Sequence, residues 1–315
     1  MIMAHRPLFS IATPCYNSEK TIERTIKSVL QQEFKDYEYI IVDGGSTDGT
    51  LEIIKKYANG LPPNISYTDW INSSNHNSQT PPLVTWWCSE KDGGQSAAFN
   101  KGFSHARGRF LTWLNADDVM LPGTLKKFEA AVLKNPTCEW FVGGVLWLDP
   151  EMKVVNCGRG RPFSEIRYRE GNVSVWGPSS FFTKRLLEAV GAVDERFHYT
   201  MDTELWLRFA YKENARYLPF CSYAWGLRMH PDAKMSGHNF TEDGKLDTQR
   251  SEAERLAASK HINQLNREIA WRSEYFHPKK GGRISHLASV NWLAVLGARM
   301  NLFRWRGKHY SEIAL

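Results

Sequence analysis

The sequence predicts an α/β protein: a three-layer α/β/α sandwich on a mostly parallel central sheet, with a helical extension toward the C-terminal end. Two observations lead there. Strand and helix signals alternate along the first half of the 315 residues, the pattern of successive βα units. The composition, 42% apolar and 23% charged with a mean hydropathy of −0.46, is that of a globular chain with a large core rather than of a disordered or membrane-spanning one.

Leu8 to Ala12 reads as a buried strand. Behind the N-cap residues Asn17 and Ser18, the apolar positions Ile22, Ile26, Val29 and Leu30 recur at helical spacing. Tyr39 to Val42 predicts a second strand, and Ser46-Thr-Asp-Gly49 caps a helix carrying Leu51, Ile54 and Tyr57. Residues 60–82, crowded with Asn, Ser and Pro, interrupt this rhythm as an inserted surface loop. Val84 to Cys88, Phe110 to Leu114 and Trp140 to Leu148 supply further strands. Gln95 to Ala106 and Pro122 to Leu133 read as helices, the latter with Pro in its first turn. Lys184 to Val190 and Thr203 to Lys212 read as two more helices, before a strand-like stretch from Arg216 to Ala224. A polar helix at 252–275 and a mostly apolar helix at 284–306 with a basic end follow.

Five widely spaced cysteines, Cys15, Cys88, Cys138, Cys157 and Cys221, form no C-x-x-C pair and suit a reducing compartment. Met1 to Pro7 lacks the apolar core of a secretory signal, and 287–298 is too short and too polar to cross a bilayer. The expected location is therefore cytoplasmic. From Arg267 onward nine Lys and Arg meet three Glu, so the formal charge of +6 resides in that last stretch and the preceding residues are neutral overall. Such localised charge points to an anionic surface rather than to nucleic acid. Two readings of the tail stand side by side: a helix docked on the domain, or an interfacial helix peripheral on the inner face of the cytoplasmic membrane, with Trp292, Leu296, Phe303 and Trp305 toward lipid and Arg299, Arg304, Arg306 and Lys308 snorkelling.

Open α/β sheets bind ligands at the carboxyl ends of their strands. Acidic residues stand at those positions: Asp43 after the second strand, Asp92 after the third, Asp117 and Asp118 after the next, and Asp202 at the start of a late helix. Gathered in one crevice at 4 Å, each pair would repel by about 4 kcal/mol at an effective dielectric near 20, so a cation belongs among them. A hard divalent ion held by one or two carboxylates and completed by substrate phosphates meets that need.

The ordered set Thr13-Pro-x-Tyr-Asn17, Val42-Asp-Gly-Gly-Ser-Thr-Asp-Gly-Thr50, Glu90-x-Asp-x-Gly-Gln95, Asn100-Lys-Gly102, Leu114-Asn-x-Asp-Asp118 and Met201-Asp-x-Glu-Leu-Trp-Leu-Arg208 resembles the family 2 glycosyltransferases of the GT-A fold over residues 8–232. The resemblance implies an inverting transferase that uses a nucleotide-diphosphate sugar with Mn or Mg and acts on a glycan or lipid-linked acceptor. It implies a catalytic domain over 1–240, with a nucleotide-sugar half at about 8–120 and an acceptor half at about 121–240, followed by the basic extension 241–315. Thr13, Pro14, Tyr16, Asn17, Asp43, Asp92, Gln95, Lys101, Asn115 and Asp118 would then bind the donor, Asp117 and His230 the metal, and Asp202 would act as the base. Trp176 and Glu204 are the expected acceptor contacts, and Arg107, Arg109 and Lys234 further phosphate or acceptor contacts. A first-turn position favours the ionised form of Asp202 through the helix dipole.

Two positions depart from the family pattern. Asn115 replaces the first carboxylate of the D-x-D motif and adds no charge for the metal, and Met201 stands before the base where Glu is common. The alternative function is a non-catalytic nucleotide-sugar or membrane-binding module on the same fold. A dinucleotide oxidoreductase is disfavoured: in Gly44-x-Ser46-x-x-Gly49 the middle glycine is Ser46, and Asp43 would repel a pyrophosphate.

Overall fold

A computed structural model describes residues 6–59, 61–65, 84–164, 175–198, 200–230, 233 and 304–313. Most of the inserted loop, the helix expected at 252–275, nearly all of that expected at 284–306, and Lys234 lie outside the described residues.

The N-terminal half is the predicted parallel unit. Strand β1 (Phe9–Cys15) pairs with β2 (Tyr37–Asp43) on one side and β4 (Phe110–Trp113) on the other, and β2 pairs with β3 (Trp86–Ser89), all parallel, with Phe9 opposite Tyr37 and Phe110. Helices α1 (Ile22–Leu30), α2 (Thr50–Ala58) and α3 (Gln95–His105) belong to the connections between these strands. The C-terminal half is mixed. It comprises β5 (Val119–Met120), α4 (Thr124–Lys134), β6 (Trp140–Leu148), β7 (Val154–Gly158), β8 (Ser180–Thr183), α5 (Lys184–Val190), α6 (Met201–Tyr211) and β9 (Leu218–Arg228). The sheet runs β3-β2-β1-β4-β8-β6-β9-β5, with β7 on β6. Strand β8 is antiparallel to both β4 and β6, whereas β6 and β9 are parallel. Strands β5, β7 and β8 are two to five residues long, too short to show a period in sequence.

Side-chain alternation along the strands creates the three layers. Phe9, Ile11, Tyr39 and Ile41 face α1, α2 and α4 through Ile26, Ile54 and Phe128, while Ala12, Ile40 and Val42 face α3, α5 and α6 through Phe99, Leu186 and Leu205. Gly102 permits the close approach of α3 to the sheet, because a Cβ there would sit 3.3 Å from both Ala12 and Val42.

Helix starts differ from expectation where tertiary hydrogen bonds override local capping. Asn17 has φ 47° and accepts from Thr47 N–H at 2.9 Å instead of capping α1, whose N-cap is Thr21. Helix α4 begins at Thr124 behind Gly123 at φ +71°, so Pro122 precedes the helix rather than lying in its first turn. Strand β9 runs to Arg228, four residues past the expected end.

Of the basic tail, Arg304 to Ile313 is described, and it docks on the domain. Trp305 packs on Tyr223 with ring centroids 5.3 Å apart, and His309 bridges to Lys153. Among the described residues no helix is long and apolar enough to cross a membrane, and Cys15, Cys88, Cys138 and Cys157 are free thiols.

Candidate active site

A cleft of about 1160 Å³ opens at the carboxyl ends of the parallel strands, where the chain order reverses between β1 and β4. The loop after β1 forms one wall. Tyr16 lines it and is 62% exposed, an unusual state for a tyrosine beside a packed core. A lattice of hydrogen bonds ties this loop to the one after β2: Asn17 N–H donates to Ser46 Oγ at 2.8 Å, Ser18 N–H to Thr50 Oγ1 at 2.7 Å, and Gly49 N–H to Glu19 Oε2 at 2.8 Å. Gly45 turns at φ +81°, so the chain reverses where an L side chain would be strained.

Not every expected donor or metal residue faces the cavity. Pro14, Tyr16, Asn17, Asp92, Gln95, Asn115, Asp117 and His230 do. Thr13 is fully buried within β1, sharing a hydrogen bond with Tyr39 Oη at 3.0 Å. Asp43 lies beneath the floor with no exposed surface: it accepts from Ser46 N–H at 3.1 Å and Ser89 Oγ at 2.6 Å, joining the ends of β2 and β3. Asp92 accepts from Gly94 N–H at 2.8 Å and covers Gly44.

The loop after β4 carries a second polar network. Gln95 Nε2 donates to Asn115 Oδ1, and Asn115 Nδ2 donates to Asp118 Oδ2, both at 2.9 Å. Asp118 is almost fully buried, and its other oxygen accepts from Arg228 N–H at 3.0 Å. Burial first, then the Asp117 charge, push its carboxyl well above the usual range. Asp117 turns the other way, into the cleft, with Oδ2 3.1 Å from His230 Nε2.

Asp202 occupies the first turn of α6 and accepts from Thr203 N–H at 2.6 Å; it does not line the described cavity, but His198, four residues earlier, does. Hydrogen bonds hold this approach to α6 against α3: Ser96 Oγ donates to Phe197 O, and Asn100 Nδ2 to Val193 O, each at 2.8 Å.

Several expected contacts are engaged elsewhere. Glu204 turns into the core, where its oxygens accept from Arg208 Nε at 2.5 Å and Nη2 at 2.6 Å, so it has no face for an acceptor. Trp176 packs edge-on to Trp147 with centroids 6.0 Å apart and is not a cleft residue. Lys101, on α3, pairs with Glu90 at 2.5 Å. Arg107 and Arg109 sit at the amino end of β4, away from the cleft, bonded to Glu38 and to Pro136 O. Conversely, Lys20, Lys91, His198 and Arg228 line the cleft without having been expected there. For Arg228 the missed signal was strand length: carrying β9 past Gly226 places both Arg228 and His230 at its exit.

Residues 10–144 match Glycosyl transferase family 2. An uncharacterized glycosyltransferase of Mycobacterium tuberculosis is 31% identical over 214 residues, covering 66% of this chain and 71% of that protein. The poly(ribitol-phosphate) beta-N-acetylglucosaminyltransferase TarS of Staphylococcus aureus is 29% identical over 177 residues, 56% of this chain but only 26% of TarS. Among solved structures, TarS 1–349 with UDP-GlcNAc aligns at TM-score 0.48 and 22% identity over 70% of this chain and 58% of that one. The mannosyltransferase PcManGT of Pyrobaculum calidifontis, with GDP-Man and Mn2+, aligns at TM-score 0.49 and 18% identity over 95% and 81% of the two chains.

Proposed function

Since the chain belongs to glycosyltransferase family 2, we propose that it moves a sugar from a nucleotide-diphosphate donor onto a hydroxyl of a glycan or lipid-linked polysaccharide precursor, inverting the anomeric carbon. The observation that carries this reading is the convergence of Tyr16, Asp92, Asn115, Asp117 and His230 on one cleft at the strand exits. TarS, a relative named for transfer to poly(ribitol phosphate), supports a polymeric acceptor. The setting we propose is the cytoplasm, at the inner face of the membrane when the acceptor is lipid-linked.

In this reading Tyr16 offers its exposed ring to the nucleotide base, while Asp92 and the Gln95–Asn115 pair hold the ribose side. The Asp117 carboxylate and the His230 imidazole are a hard oxygen and a nitrogen donor 3.1 Å apart. Among the described residues no group of three or more His, Cys, Asp or Glu could hold an ion by itself. The donor set therefore fits Mg or Mn bound by two side chains and completed by donor phosphates. Bound there, the ion would supply Lewis-acid stabilisation of the departing diphosphate. Asn115, with its amide engaged at both ends, adds no charge, and the Arg228 guanidinium is a further cation on the diphosphate side.

The chemical step is a displacement. The acceptor oxygen forms a bond to the anomeric carbon as the bond from that carbon to the diphosphate oxygen breaks, its electron pair leaving with the nucleoside diphosphate. The hydroxyl proton passes to the Asp202 carboxylate. Nearby His198 lines the approach along which the acceptor would reach Asp202.

Asp117→Asn is expected to abolish metal-dependent donor binding. A nucleotide sugar at about 100 times its Kd should stabilise the native protein by about 2.7 kcal/mol, and that gain should vanish in the variant. The measurement is a thermal-shift screen of UDP-, GDP- and dTDP-sugars with and without manganese; a manganese-dependent shift retained by Asp117→Asn would exclude Asp117 as a ligand. Donor binding by the native chain with no turnover on any acceptor would favour the non-catalytic module, the reading that Asn115 favours.

A further inference from the structure

Beside the cleft the chain returns on itself. In the tight turn at 149–153, Met152 N–H donates to Asp149 O at 2.9 Å and Lys153 N–H to Asp149 Oδ1 at 2.8 Å. One side of this turn presents Pro150 to the cleft and accepts from Arg228 Nε at 3.4 Å. The other side receives the C-terminal segment: Tyr310 N–H donates to Met152 O at 3.1 Å, Val154 N–H to Lys308 O at 2.9 Å, and Gly307 N–H to Val154 O at 2.8 Å.

This docking sorts the segment by polarity. Trp305 and Ile313, 7% and 3% exposed, fill a hydrophobic cluster with Leu146, Leu148 and Tyr223. Arg304, Arg306 and Lys308 stay exposed, and among the described residues neither they nor the half-buried Arg24 forms an ion pair. Glu312, in the same segment, and Glu151, in the turn on which that segment docks, are themselves exposed. Arg24, on α1, is close enough to the docked segment for its charge to act on the Tyr310 hydroxyl.

Cations gathered without partners repel one another, a cost that a bound polyanion relieves. A membrane-inserting strip would also turn apolar groups outward, and here the large apolar side chains Trp305 and Ile313 point inward. We infer that Arg24, Arg304, Arg306 and Lys308 form an anion track leading to the cleft, and that it takes an acceptor whose chain carries repeated phosphodiester groups. The inference rests on the transferase reading above, to which it adds the chemical class of the acceptor.

The test uses the full chain, with inorganic polyphosphate as the probe, neutral dextran as the uncharged control and phosphatidylglycerol vesicles as the lipid arm. The native protein should bind polyphosphate with an affinity that falls linearly with salt on logarithmic axes. The R304Q/R306Q/K308Q variant should bind about tenfold or more weakly at low salt, with a shallower salt slope, and R24Q should lose part of the same affinity. Manganese-dependent nucleotide-sugar binding should be unchanged in the triple variant, which also shows that it folds. Equal polyphosphate affinity in native and triple-variant proteins overturns the track, as does binding by these cations to vesicles but not to polyphosphate. Strip-dependent polyphosphate binding by a chain that binds no nucleotide sugar would sink the transferase reading while leaving the track standing.

Discussion

Asp202→Asn is expected to lower sugar transfer by about 10²- to 10⁴-fold while leaving donor binding intact, the loss that accompanies removal of a placed general base. The substitution is close to isosteric and keeps an oxygen able to accept from Thr203 N–H, the bond of 2.6 Å that fixes this side chain in the first turn of α6. The fold should survive, because the helix is also anchored through Phe197 and Val193 to α3. What disappears is the ability to take the acceptor proton as the new bond forms. Single-turnover transfer at saturating donor, measured beside donor affinity by calorimetry, separates the two effects. Native transfer rates in the variant would remove Asp202 from its role; lost donor affinity would reassign it to the nucleotide side.

The second large effect falls on stability. Glu204 and Arg208, with side chains 3% and 7% exposed, form a two-pronged ion pair inside α6, and Arg208 Nη1 also donates to Val190 O at 2.8 Å. Glu204→Ala leaves a buried guanidinium without its counter-charge, which costs about 3–5 kcal/mol. Replacing both partners with apolar residues, as in Glu204→Met with Arg208→Leu, should recover most of that loss, since a buried pair gives little net stabilisation over well-packed apolar side chains. Urea unfolding of the single and double variants measures both. A Glu204→Ala protein of native stability but poor transfer would return Glu204 to the acceptor site and contradict the packing seen here.

Much of the N-terminal half is legible in the sequence because its signals are local. The 3.6-residue period of Ile22, Ile26 and Val29 and the run Tyr39 to Val42 depend on what each segment buries, and the sheet buries them as the pattern demands. The acidic positions after the strands were legible for the same reason: a ligand crevice at strand exits follows from parallel topology. The C-terminal half was less so. Strands β5 and β8 exist through pairing with distant partners, such as Leu111 opposite Phe182, and no window of sequence contains both members of the pair, while β7 pairs with β6 across a tight turn but is too short to show a period.

The sequence by itself determined the layered α/β architecture, the family, and which residue types stand at the ends of the parallel strands. Only the tertiary structure decided which of those residues face the cleft. Asp117 and Asp118 are neighbours in sequence, yet one meets His230 in the cavity while the other is sealed under Arg228 N–H and the Asn115 amide. Glu204, two residues from Asp202, is committed to Arg208 in the core. The physical reason is that a carboxylate's role depends on which donors and how much water surround it, and those are set by burial in the assembled core and by contacts such as Asp117–His230 and Asp118–Arg228 across more than a hundred positions, which periodicity and local spacing do not encode.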